Sequence, residues 1–387
     1  MRWIQIILDG VGVGDAPDAG RFGDEGSNTL GNLSEYIPLH LPNLQSLGLG
    51  CLTKIHGVEP VSARNVYGSL TEKSDGKDST SGHWELAGLV TSTPFPYFYE
   101  GFPETVLHEI RRVSGRGILG NKAASGTEII KELGEQHVTT GDLIVYTSAD
   151  SVLQIAAHEA IVPLPELYRI CRELRQLWMT GPYAVGRIIA RPFLGDPGSF
   201  YRTPNRHDES LPPHGETIID RLKTVGIPTA SVGKVSDLFA QQGFTEFHLT
   251  KSNDEGVQAI LQWMRSGKTG FLFANLVDFD MLYGHRNDKE GFAAALEQFD
   301  KQLPEILALL GKQDILAITA DHGNDPTTPS TDHSRERVPL LLVGSMLKND
   351  FNIGVRASFA DLGASVVEAF QLSNWHEGKS FWQEILR

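Results

Sequence analysis

The sequence predicts an α/β protein whose central, mostly parallel sheet is flanked by helices, with a smaller α/β unit inserted into it. Three observations predict this. Apolar runs of strand length alternate with helix-period patterns through the last 170 or so residues, the signature of βαβ units. An N-terminal apolar run, residues 2–8, supplies one more strand for the same sheet. Between them, about 94–213 carries helix and strand patterns of its own, so residues 1–93 and 214–387 read as one core interrupted by a second domain.

Taken in order, Arg2–Leu8 reads as a buried strand that ends at Asp9 and delivers it to a glycine-rich loop, GVGVGDAPDAGRFGDEGSNTL. This loop has the look of a dinucleotide-binding GxGxxG turn. However, Asp15, Pro17 and Asp18 stand where the phosphate-binding helix should begin, and no matching βαβ unit follows, so that reading is set aside. In the inserted stretch TVLHEIRRV, GTEIIKEL and PELYRICRELRQLW read as helices, and DLIVYTS and YAVGRIIA as strands. After the SLPPHGE turn, helix and strand alternate: TIIDRLKTV then TASVG, VQAILQWMRS then FLFANLV, FAAALEQFDKQLPEILALL then DILAIT. Phe292, Leu296, Phe299, Leu303, Leu307 and Leu310 recur at three- and four-residue spacing, which predicts one buried face for the last helix.

Composition narrows the function classes. With 34 Lys and Arg against 48 Asp and Glu, the net charge of −14 opposes broad contact with a phosphate backbone or an anionic membrane, so neither nucleic acid nor membrane is expected as a partner. Two cysteines, Cys51 and Cys171, form no CxxC pair and predict neither a disulfide framework nor a thiolate metal site; a reducing, cytoplasmic setting fits. The N-terminal MRWIQIILDG is not a secretory signal, and no apolar stretch approaches the roughly 20 residues that cross a bilayer.

The chemistry concentrates at strand ends. DFDMLYGH, ending at His285, follows FLFANLV, and ADHGNDPTTPSTDH, from Ala320 to His333, follows DILAIT. Ligands of open α/β sheets bind outside the carboxyl ends of the strands, so these segments and Asp9 are candidates for one site. Asp9, Asp280, Asp321, His285, His322 and His333 make two mixed O/N sets of three, suited to Mn²⁺, Zn²⁺ or Fe²⁺ more than to Ca²⁺. Each Asp taken alone reads equally well as a cap or turn residue and each His as a satisfied surface group; six at matching strand ends imply two metal ions.

GKDSTSGHWE, from Gly76 to Glu85, offers hydroxyls at Ser79, Thr80 and Ser81. A hydroxyl becomes a competent nucleophile when a base or metal stabilises its alkoxide, which a dinuclear site alongside would do. On local sequence alone the same residues read as a capped turn opening a helix.

These residues together resemble the prokaryotic phosphopentomutase family of the alkaline phosphatase superfamily over nearly the full length. The resemblance rests on DGVGVGDAPDA, GKDSTSGHWE, TSADSVLQIAAHE, GRIIARPF, RTPNRHD, LVDFDMLYGHRND and TADHGNDPTTPSTDH. ADHG alone would mark only the superfamily; the motifs of the inserted stretch narrow it. The resemblance implies an alkaline phosphatase-like core with an inserted cap domain, 94–213, that closes over the substrate. It implies two Mn²⁺ ions, one on Asp9, Asp321 and His322, the other on Asp280, His285 and His333, with Ser79 as the residue that carries phosphate. Threonine is the familiar residue at that position, which leaves Thr80 as a neighbouring rival to Ser79.

The reaction implied is interconversion of α-D-ribose 1-phosphate and D-ribose 5-phosphate, or the 2-deoxy sugars, through a phosphoenzyme and ribose 1,5-bisphosphate. Glucose 1,6-bisphosphate or ribose 1,5-bisphosphate would prime it. By the same resemblance Ser148 and Asp150 meet the ribose hydroxyls, Ile189 lines the pocket, and Arg187, Arg202 and Lys234 clamp phosphate. A phosphatase or phosphodiesterase of the same superfamily would use the same ligands with water as acceptor. A catalytically inactive sugar-phosphate-binding protein would need a damaged ligand set, and none is visible.

Overall fold

A computed structural model describes every residue of the chain except Ala149, Asp150 and Asn374. The chain divides into two compact units, Met1–Thr93 with Pro213–Arg387, and Pro94–Pro212.

The larger unit is built on an eight-stranded sheet in the order Glu246–His248, Thr229–Val232, Gly270–Leu276, Arg2–Leu8, Ile315–Thr319, Val338–Val343, Val66–Leu70, Phe351–Arg356. The first five run parallel. Val338–Val343 alone is reversed, antiparallel to both its neighbours, and Phe351–Arg356 again pairs parallel with Val66–Leu70. The central strands are buried along their whole length, Gly270–Leu276 and Ile315–Thr319 without an exposed position. This is why they read as continuous apolar runs: helices cover both faces of such a sheet.

Register decides what happens at the strand ends. Leu8 pairs with Leu276 and Ile7 with Thr319, so Asp9, Asp278–Asp280 and Asp321 leave the sheet at one level of three adjacent strands. Val232 pairs with Ala274, and Lys234 follows it at the same edge.

The helix Lys289–Ala308 buries Phe292, Leu296, Phe299, Leu303 and Ile306. Leu307 and Leu310, read from the sequence as part of that stripe, are only half-buried, and Leu310 lies past the helix end. A stripe that continues three residues beyond Leu303 reaches Ile306 rather than Leu307, as a 3.6-residue period requires.

The smaller unit has its own six-stranded mixed sheet. Ile118–Ala123, Leu143–Thr147, Val152–His158 and Arg187–Leu194 pair in that order, and the last also takes Tyr201–Arg202 and His207–Ser210. Its strand begins at Arg187, not at Tyr183 as the YAVGRIIA pattern suggested, with Ala184 and Val185 in a turn before it. Leu143, Val145, Leu153, Ile155, Ile188 and Ala190 pack beneath the helices Glu104–Ser114 and Leu164–Leu177. No helix among the described residues is long and apolar enough to cross a membrane.

Candidate metal centre

All six expected ligands lie at the strand ends of the larger unit, and the structure brings them into one cluster. Asp9, Asp321 and His322 are fully or almost fully buried with ligand atoms within 4.8 Å of one another; so are Asp280, His322 and His333. His322 therefore stands between two sets, its ring 3.9 Å from that of His333. His285 approaches Asp280 from the other side, Nε2 3.2 Å from Oδ2, while His333 Nε2 lies 3.4 Å from Asp280 Oδ1.

The imidazoles are oriented as ligands need to be. His322 Nδ1 faces the Gly323 carbonyl at 3.0 Å and His285 Nδ1 the Thr331 carbonyl at 2.7 Å. A proton on each Nδ1 leaves Nε2 with its lone pair toward the carboxylates, the arrangement by which a carbonyl fixes the tautomer of a metal-binding histidine. Buried Asp9 Oδ1 and Asp321 Oδ2 accept no hydrogen bond among the described residues. Three buried carboxylates, two of them with an orphaned oxygen, beside oriented imidazoles fit divalent cations.

The electrostatics without cations say the same. Burial, and then Asp321, push the Asp9 carboxyl above its ordinary range. Burial would raise Asp321 too, but His322, His83 and Lys234 hold it low; His333 and His285 do the same for Asp280. His285 is raised despite burial because it faces Asp280, and Lys234 is raised by Asp9, Asp321 and Asp280. Excess buried negative charge is thus compensated by protons and one ammonium.

Ser79 sits on this cluster. Asp78 caps the helix Ser79–Leu86, its Oδ1 accepting from the N–H groups of Thr80 at 2.9 Å and Ser81 at 3.1 Å, so the capped-turn reading of GKDST holds as well. Ser79 Oγ lies 3.2 Å from His322 Nε2 and accepts from Lys234 Nζ at 2.9 Å. Lys234 Nζ also reaches Asp9 Oδ2 at 2.5 Å.

Several supporting residues were not singled out from sequence. Asn275 Nδ2 donates to Asp9 Oδ2 at 2.9 Å, and Asn324 Nδ2 to Asp280 Oδ1 at 2.7 Å. His83, four residues after Ser79 and so one helical turn on, places Nδ1 2.8 Å from the Ser79 carbonyl and 3.1 Å from Asp321 Oδ2. That i, i+4 spacing inside GKDSTSGHWE was the available signal. Gly82 is required there: a Cβ would stand 2.1 Å from the Asp321 carbonyl oxygen. Gly10, with φ +76°, turns the chain after Asp9, and no α-helix follows before Thr29–Tyr36, so the loop is not a dinucleotide turn.

The expected substrate residues of the smaller unit lie on or beside its sheet. Arg187 and Ile189 share one face, since successive odd positions of a strand point the same way, and Arg202 pairs with Phe193 on that face. Arg187 Nη1 stands 3.8 Å from Asp208 Oδ2. Ser148 directly follows the strand Leu143–Thr147, and Asp150 lies outside the described residues. Arg191, on the same face, donates from Nε to Gln154 at 3.0 Å, and burial lowers it to about 10.

The family model described as the metalloenzyme superfamily matches residues 1–374. A phosphopentomutase of Caldanaerobacter subterraneus subsp. tengcongensis is 53% identical over 385 residues, 99% of this chain and 98% of the relative. One from Thermotoga maritima is 54% identical over 384 residues, 98% of each chain. Among solved structures, the PH0037 protein of Pyrococcus horikoshii superposes with TM-score 0.51 at 16% identity, covering 96% of this chain and 98% of that one. The phosphoglycerate mutase of Leishmania mexicana does so with TM-score 0.50 at 12% identity, covering 97% of each. The two structures share the fold; the two relatives share sequence along the whole chain.

Proposed function

The chain belongs to the phosphopentomutase family of the metalloenzyme superfamily, and on that premise we propose that it interconverts α-D-ribose 1-phosphate and D-ribose 5-phosphate, and their 2-deoxy counterparts, through phosphorylated Ser79. The observation that carries this is Ser79 Oγ at a helix N-terminus, 3.2 Å from His322 and 2.9 Å from Lys234, beside both ligand sets.

Asp9, Asp321 and His322 would hold one Mn²⁺, and Asp280, His285 and His333 the other, with His322 within reach of both. Bound there, the ions supply Lewis acidity that favours the alkoxide of Ser79 and offsets charge on the transferring phosphoryl group. The Lys234 ammonium donates to the same oxygen, so it stabilises the deprotonated nucleophile and lies next to the phosphate once that oxygen carries it.

In the forward direction the 5-hydroxyl of ribose 1-phosphate takes the phosphoryl group from Ser79. The bond from phosphorus to the serine oxygen breaks as the bond to O5 forms, and the hydroxyl proton is released. The resulting 1,5-bisphosphate returns its C1 phosphoryl group to Ser79, the C1 oxygen regains a proton, and ribose 5-phosphate leaves. Glucose 1,6-bisphosphate or ribose 1,5-bisphosphate would load the serine at the outset. Residues of the smaller unit would hold the sugar: Ser148 and Asp150 its hydroxyls, Ile189 its apolar face, and Arg187 and Arg202 the phosphate that does not react.

The test is phosphopeptide mapping after incubation with Mn²⁺ and glucose 1,6-bisphosphate. Phosphate is expected on Ser79 and absent from Ser79→Ala; phosphate on Thr80 in either protein would overturn the assignment.

A further inference from the structure

Arg335, 2% exposed, ties together three loops around the nucleophile without touching a metal ligand through its guanidinium. Nε and Nη2 clamp the Asp18 carboxylate, each at 3.1 Å. Nη1 donates to Glu72 Oε2 at 2.8 Å, to the Ser74 carbonyl at 2.9 Å and to the Gly76 carbonyl, and Nη2 to the Glu72 carbonyl at 2.8 Å. Its backbone N–H donates to Asp24 Oδ2 at 2.9 Å, and the same carboxylate takes Lys77 Nζ at 3.0 Å. Lys77 Nζ lies 3.7 Å from Asp332 Oδ2, next to His333.

The segment Glu72–Lys77 lies between the strand that ends at Leu70 and the helix that begins at Ser79. Its Lys73 and Ser74 N–H groups donate to the Glu85 carboxylate and that of Asp75 to the Thr91 carbonyl, but no strand among the described residues pairs with its carbonyls. Three of its carbonyls rest instead on one guanidinium, whose planar fork alone can meet Asp18 bidentately and these carbonyls together. We propose that Arg335, with Asp18 and Asp24 of the acidic loop after the first strand, is the positioning residue of the nucleophile: it fixes the segment that delivers Ser79 to the cluster. This rests on the reading of Ser79 as phosphoryl acceptor, and it gives a role to the DAPDAGRFGD loop that the ligand set leaves without one.

Arg335→Lys keeps a charge between Asp18 and Glu72 but loses the fork. Displacing a reacting group by about 1 Å costs on the order of 100-fold in rate, so phosphorylation of Ser79 by glucose 1,6-bisphosphate is expected to slow by about that factor. Metal content should stay at two ions per chain. Amide exchange should quicken across Glu72–Asp78 while Val66–Leu70 stays protected. Asp18→Asn, at a half-buried loop carboxylate, should act in the same direction more weakly, and it serves if Arg335→Lys does not fold. Wild-type phosphorylation rates in the folded variants would overturn the proposal. So would loss of one ion, which would place the effect on His333, or faster exchange throughout the core unit, which would make Arg335 a general stabiliser. A wild-type protein that never takes phosphate on Ser79 would instead count against the proposed function.

Discussion

With Ser79 as the proposed nucleophile, Lys234→Met would separate its activation from metal binding, because one ammonium would serve the first and oppose the second. Lys234 Nζ donates to Ser79 Oγ at 2.9 Å and lies 2.5 Å from Asp9 Oδ2. Lys234→Met keeps the stem and deletes the charge. A hydrogen bond to a charged group contributes about 1.5–3 kcal/mol, and at 1.36 kcal/mol per decade that is about a 10- to 150-fold slower phosphoryl transfer if the bond persists in the transition state. The same deletion leaves Asp9, Asp280 and Asp321 with one positive neighbour fewer, so Mn²⁺ should bind at least as tightly as to the wild type while the chelated protein becomes less stable. Rapid-quench measurement of Ser79 phosphorylation and calorimetric titration of chelated protein with Mn²⁺ read the two effects separately. A parallel fall in rate and metal affinity would refute the reasoning, since it would make Lys234 a support of the ligand set; an unchanged rate would remove it from the chemistry.

Burial holds Glu336 at about 7, well above an exposed glutamate, although Thr29 and Ser334 donate to it. A carboxyl raised on folding contributes stability that is full below its unfolded value and lost as pH rises toward 7. Urea unfolding of the chelated protein should therefore show a smaller loss of stability between pH 5 and 7 in Glu336→Gln than in the wild type; identical slopes would contradict this. Gly82→Ala should abolish phosphorylation and weaken the ion near Asp321, because its Cβ meets the Asp321 carbonyl at 2.1 Å; a variant with normal metal content and rate would show that the helix can yield. Mn²⁺ at 100 times its dissociation constant should add about 2.7 kcal/mol per independent site to the unfolding free energy, and Asp280→Asn should halve the bound metal as measured by elemental analysis.

Four of the five parallel strands were legible because buried strands of this kind carry unbroken apolar runs, and acidic residues marked the carboxyl ends of three of them, at Asp9, Asp278 and Asp321; the short, half-exposed edge strand Glu246–His248 was not legible. Val66–Leu70 and Val338–Val343 escaped: the first is short and interrupted by Gly68, and the second starts directly from the loop that carries His333. The six ligands were readable as types at strand ends, but the position of His322 between two sets depends on side-chain packing that spacing does not fix. Asn275, Asn324 and Arg335 were not legible, since each acts through a partner far away in sequence, Asn275 to Asp9 spanning 266 residues and Asn324 to Asp280 spanning 44; His83 left only its spacing of four from Ser79.

The central claim is that the phosphoryl group passes to sugar and not to water. Incubating the Mn²⁺-loaded protein with α-D-ribose 1-phosphate and a trace of glucose 1,6-bisphosphate, and following products by ³¹P NMR, tests it directly. Ribose 5-phosphate as the main product, with phosphate on Ser79 in the resting protein, is the result predicted; free inorganic phosphate as the main product would contradict it.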